Sequence, residues 1–147
     1  MVTSTLRSDA ERRDVNTTSQ SSLTVHVLPW SHILFGSLIG PAIGVVALML
    51  LSERQPRTLL TVAAGVCCGT WIWNTMLNVR QAGVIDVDIP FKPFPISWQD
   101  TGTGVFAFAA ATLLLVATVH RNEPGRRTLK IAGIAALAAL IMDIYTW

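Results

Sequence analysis

Charge is what this sequence has least of. Of its 147 residues, 14% are Asp, Glu, Lys or Arg and 51% are hydrophobic. A soluble domain carries about 25% charged residues. Mean hydropathy is +0.49. That balance argues against the ordinary soluble class and points to the lipid bilayer as the chain's surroundings. The net charge is only +2, and no basic stripe interleaves with aromatics. Nucleic acid is therefore not an expected partner. Cysteine is almost missing too. The two present, Cys67 and Cys68, are adjacent within an apolar run. Sequence neighbours rarely meet disulfide geometry, so no disulfide framework is implied. The pair reads as small packing residues, because a free cysteine behaves as a small hydrophobe. A soft metal ion is the sharper use of such a pair.

What the chain does have is four long runs with almost no charge, at about 33–51, 59–79, 103–119 and 128–147. A helix needs about 20 residues to cross roughly 30 Å of hydrocarbon. Membrane strands would show as short segments of alternating polarity, which these are not. The expected fold is an all-α integral membrane protein. It is a four-transmembrane-helix bundle, with two short-loop hairpins joined by a long outer loop. Residues 25–147 form that membrane domain. Residues 1–24 are polar, with little to bury, and read as a disordered tail. They do not read as a secretory signal, since the first apolar run starts late and no small-residue cleavage pattern follows it.

The connections differ in kind. "SERQPRT" and "HRNEPGRRT" are short and basic, whereas the segment 81–101 is long and mostly acidic. Arg54, Arg57, Arg121, Arg126, Arg127 and Lys130 fall in or beside the short loops. Nearest the spans' other ends are Arg13, Arg80 and Lys92, and Arg7 and Arg12, farther out in the tail, reduce the contrast. Basic residues in short loops stay on the cytoplasmic side. Both termini and the 81–101 loop are thus expected to be extracytoplasmic or lumenal. A sequon at Asn16–Thr18 fits an outer tail in a eukaryote.

The two basic turns resemble each other, and each leads into an apolar helix ending in paired aromatics: Trp71 and Trp73, or Tyr145 and Trp147. A duplicated hairpin with an axis along the membrane normal gives this pattern. So does the general recurrence of basic turns and aromatic belts. Small residues recur four apart in every span: Gly36, Gly40 and Gly44; Gly65 and Gly69; Ala107 and Ala111; Ala132 and Ala136. Such ridges let backbones approach within a bundle, or offer a face to another subunit.

Polar side chains gather toward one membrane surface. Asn74 and Asn78 share a helix face at the outer end of the second span, with Arg80 just beyond. His26 and His32 precede the first span. Asp86, Asp88 and Asp100 lie in the long loop beside Phe94 and Trp98, and Asp143 sits one turn inside the fourth span. A carboxylate within a span is a functional candidate, and Arg80 is its expected partner. Pro90, Pro93 and Pro95 give the loop an extended path. Its apolar side chains suit a lid over the mouth of the bundle or a simple interfacial linker. The glycines of "TGTG" are expected to supply flexibility before the third span.

The sequence's first functional expectation is a small subunit or assembly partner. It would contact the lipid bilayer and other membrane helices, as a homo- or hetero-oligomer, with a polar pocket under the 81–101 loop. The alternative is a membrane-embedded enzyme acting on a hydrophobic small molecule. There Asp143, Asp100, Asp86 and Asp88 would serve as acid or base. Asn74, Asn78, Arg80, Trp98 and Phe94 would bind the substrate. A third reading is an oligomeric small-solute transporter. No cofactor is indicated. His26 and His32 are the residues a metal would use, but six positions and Pro29 separate them, so no metal is expected.

Overall fold

The structure, a computed structural model, describes residues 29–80 and 96–146, all helix and turn apart from an isolated bridge residue at Ile96. Asp86, Asp88, Phe94 and His26 lie outside the described residues, so the expectations placed on them are carried no further. The helices are α1 (Trp30–Leu50), α2 (Pro56–Val79), α3 (Trp98–Ala117) and α4 (Gly125–Thr146). Each is long and apolar enough to cross a membrane. That is the architecture of a multi-pass membrane bundle.

The helices begin about a turn earlier than the apolar runs, for local reasons. Pro56 occupies the first turn of α2, where its missing N–H is not needed and its fixed φ suits a helix. A capping box starts α3. The Ser97 side chain accepts from Asp100 N, and the Asp100 carboxylate accepts from Ser97 N. Two orphan donors are satisfied reciprocally. This start places Gly102 and Gly104 inside α3, not in a flexible lead-in. Gly102 serves a close approach instead: a Cβ there would lie 2.7 Å from Trp73 Nε1. The indole fills that space, donating to Gln99 O at 2.8 Å. Its ring sits 4.9 Å from Phe106 and 5.7 Å, edge-on, from Trp98.

Helix α1 touches α2 and α4; α3 touches the same two; α1 and α3 do not meet. The hairpins are joined along two seams of small residues. A Cβ on Gly44 would lie 3.3 Å from Ala135 Cα, and one on Gly40 would lie 3.5 Å from Ala139 Cβ. A Cβ on Gly65 would lie 2.8 Å from Ala111 N, and one on Gly69 would lie 2.8 Å from Ala107 Cα. These glycines are thus in use within the chain, and the α4 side of the first seam is Ala135 and Ala139.

The seams correspond. Buried positions of α1 recur in α3 at one constant shift: Ile33 with Asp100, Gly40 with Ala107, Gly44 with Ala111, Leu48 with Leu115. Those of α2 recur in α4 at another: Thr58 with Thr128, Val62 with Ala132, Gly65 with Ala135, Gly69 with Ala139. The two shifts differ because the second turn is longer. Applying them converts the Gly44–Ala135 contact into Ala111–Gly65, and Gly40–Ala139 into Ala107–Gly69. The two shifts thus relate the two seams contact for contact.

Candidate functional site

The interior is divided along its length. Toward the two short turns it is mostly apolar: Leu48, Val62, Val66, Leu115, Ile131 and the seam alanines form one buried cluster, with Thr58, His120 and Thr128 the buried polar residues beyond it. Toward the long connection, a polar row runs up α2 at Thr70, Asn74 and Asn78. Residues four apart share a helix face, which is why the row faces one way. Thr70 Oγ1 donates back to Val66 O and Cys67 O, both at 3.0 Å. Asn74 Nδ2 donates to Thr70 O at 3.0 Å. Local bonds to the helix backbone therefore engage the Thr70 hydroxyl and the Asn74 Nδ2. Asn78 Oδ1 is buried with no hydrogen-bond partner among the described residues. A buried acceptor left unmatched costs about 1–3 kcal/mol.

All four helices line one small cavity beside that row. Gly36 and Gly40 come from α1, Thr70 and Asn74 from α2, Thr103 from α3, and Met142 and Asp143 from α4. Its volume is about 10 Å³, room for about one water molecule. The absence of side chains at Gly36 and Gly40 makes the space, and the amide, hydroxyls and carboxylate make it polar. Asn74 and Asp143, singled out in the sequence, are brought together here.

The other sequence candidates are placed elsewhere. Asp100 is buried at the start of α3, where its Oδ2 accepts from both N and Oγ of Ser97 at 2.8 Å. Its carboxylate anchors a helix and does not line the cavity. Trp98 packs edge-on against Trp73. Arg80 is exposed at the C-terminal cap of α2. It does not line the cavity with Asp143, the carboxylate it was expected to pair with. His32 is exposed in the first turn of α1. No group of three or more metal-ligating side chains occurs among the described residues.

The opposite end holds a feature that sequence reasoning passed over. His120 is 3% exposed, with Nδ1 3.0 Å from Thr128 Oγ1 and Nε2 buried without a partner among the described residues. Arg127 reaches Glu123 and, across the bundle, Glu53, each at 3.2 Å. The repeat was the available signal. His120 N donates to Leu115 O just as Glu53 N donates to Leu48 O, so the histidine occupies the position of Glu53 in the first hairpin.

No family model matches this chain, and neither a curated protein nor a solved structure does. Its class, a multi-pass helical bundle, therefore rests on the four apolar helices alone.

Proposed function

We propose that this protein is a small polytopic membrane subunit, inserted through all four helices, that works in an assembly with other membrane helices. Its polar interior at the 81–101 end lies extracytoplasmically and forms the recognition site. The observation that carries the reading is a set of polar side chains inside the 81–101 end without room for a substrate. Where Asn74 and Asp143 meet, the space holds about one water. Nearby, Asn78 Oδ1 lies buried with no hydrogen-bond partner among the described residues. The Asn78 acceptor suits completion by a donor from a partner. The two short turns, with their six basic residues, lie on the cytoplasmic side by the charge rule.

The test is the mass of the full chain extracted in mild detergent, measured by native mass spectrometry. The expected result is a defined homo-oligomer or a stoichiometric complex, weakened in Asn78→Leu at unchanged helicity. A single chain with no partner, at concentrations down to those used for extraction, overturns it.

One observation favours a second reading, an enzyme acting on a hydrophobic small molecule from the loop end: Asn74 and Asp143 share a cavity. In that case a small hydrophobic molecule co-purifies with the wild-type chain and is lost in Asp143→Asn. Transport through one bundle has less support. Leu48, Val66 and Leu115 close the axis toward the short turns, so a path would have to run between copies.

A further inference from the structure

The shifts that relate the two seams carry one half of the interior onto the other, with an exception near the 81–101 end. Asp143 of α4 corresponds to Trp73 of α2, Asn74 of α2 to Ile144 of α4, and Thr70 to Leu140. Gly36 of α1 corresponds to Thr103 of α3. On the Trp73 side the space is filled. The indole lies where a Cβ on Gly102 would sit, packs on Phe106 and donates to Gln99 O. On the Asp143 side a cavity is left, bordered by Gly36 and Gly40 and by the amide, the two threonines and the carboxylate. Repeating the Trp73 arrangement would have closed it. The polar cavity is therefore a departure from the repeat, and its lining points to an occupant.

That lining is rich in oxygen and poor in hydrogen. The Thr70 hydroxyl gives its hydrogen to Val66 O and Cys67 O. The Thr103 hydroxyl gives its hydrogen to Gln99 O at 3.4 Å. A hydroxyl has a single hydrogen, so toward the cavity both oxygens act only as acceptors. Asn74 gives an amide hydrogen to Thr70 O and brings Oδ1, an acceptor. An ionised carboxylate is acceptor-only, with about four lone-pair sites, so Asp143 can ligate an occupant and keep contacts elsewhere. No Lys, Arg or His is among the described lining residues. A water molecule donates two hydrogens, fewer than the four oxygen-bearing side chains of the lining. A cation is ligated by all of them at once. The volume, about 10 Å³, admits one water-sized particle, so an ion enters without its hydration shell. Divalent ions do not suit the space: calcium takes about six to eight oxygen ligands, and magnesium keeps several waters. A single positive charge also balances a single carboxylate, which is costly within a span.

We infer that this cavity is a binding site for one dehydrated alkali-metal cation, ligated by Asp143, Asn74, Thr70 and Thr103. The ion ties α2, α3 and α4 together at the 81–101 end. The site lies in the same polar interior as the subunit reading but needs no partner, since every ligand comes from one chain. Oligomeric mass is read separately, so either can fail alone.

The test is thermal unfolding of the full chain in mild detergent, followed by circular dichroism. Sodium, potassium and choline chloride are exchanged at constant ionic strength. Choline carries the same charge and is far too large for the cavity. The midpoint is expected to rise in sodium or potassium chloride over choline chloride, by about 3–5 °C per tenfold increase in concentration above the Kd. Asp143→Asn keeps the shape, removes the charge and loses the rise. Thr103→Val removes one ligand at unchanged charge, and the rise sets in at about tenfold higher concentration. Gly40→Ala tests the space without touching a ligand. Its Cβ would lie 3.5 Å from Ala139 Cβ, an ordinary contact for the seam, and the added methyl group takes the ion's room. The rise is lost there although the carboxylate stays. Equal midpoints of the wild-type chain in the three salts leave the cavity to water and overturn the inference. A rise unchanged in every variant that folds is a general salt effect and overturns it as well.

Discussion

Gly65 and Gly69 show how narrowly the α2–α3 seam is fitted. A side chain at Gly65 would meet the backbone of Ala111, and one at Gly69 the backbone of Phe106 and Ala107. Backbone cannot rotate away as a side-chain tip can. Gly65→Ala and Gly69→Ala are each expected to destabilise the bundle by about 1–3 kcal/mol, despite alanine's better helix propensity. Gly125→Ala is the control, with nothing within 4 Å of the added carbon. Thermal unfolding in detergent, followed by circular dichroism, distinguishes them; equal midpoints for Gly65→Ala and Gly125→Ala would contradict the seam. Ser52 lies at φ 73°, a left-handed conformation that disfavours a Cβ. Ser52→Gly is therefore expected to stabilise by roughly 0.5–1 kcal/mol, read as a higher midpoint in the same assay. Asp100→Ala removes the capping box and is expected to cost about 1 kcal/mol. An effect on a bound ligand at unchanged midpoint would instead return that carboxylate to the recognition site.

At the scale of elements, the turns between helices decide what the sequence reveals. The four spans were legible because an uncharged run of membrane length has few other readings. Their starts were not. The Ser97–Asp100 box lies inside an acidic, proline-rich segment, and its carboxylate resembled loop chemistry until paired with the serine three residues away. The four-residue spacing of small residues was legible too, but spacing does not name the partner. Ala132, Ala135, Ala136 and Ala139 all belong to the buried cluster, but it is Ala135 and Ala139 that face the glycines of α1. Asn74 and Asp143 could be recognised singly, from depth and residue type; their sharing of one cavity depends on how α2 and α4 pack. His120 was missed because a lone histidine before a basic turn looks solvated. Burial against Thr128 is a tertiary fact. Thr128→Val deletes the hydroxyl that faces its Nδ1 and leaves both imidazole nitrogens buried without a partner, an expected loss of about 1–3 kcal/mol. A valine variant as stable as wild type would show that the histidine is hydrated. By contrast, the exposed Arg127–Glu53 contact is expected to contribute under about 1 kcal/mol in a double-mutant cycle.

For the whole molecule, pairs of hairpins joined by small-residue seams yield a bundle that is apolar around its circumference, with the amide and carboxylate of Asn74 and Asp143 inside toward the 81–101 end and the His120–Thr128 pair inside at the other. Leu34, Phe35, Leu60, Leu113 and Leu137, from all four helices, are more than half exposed, which water would not tolerate over so wide a surface. In hydrocarbon that surface is solvated, and the costly groups are the amide and carboxylate within the spans. The proposed function therefore depends on the orientation of the bundle in a bilayer. Cysteine labelling with a membrane-impermeant reagent tests this most directly, using Lys92→Cys, Gln55→Cys and Asn122→Cys in a background with Cys67 and Cys68 replaced by alanine. The account predicts that position 92 reacts from outside intact cells, while positions 55 and 122 react only after permeabilisation. Reaction of all three from one side would contradict it.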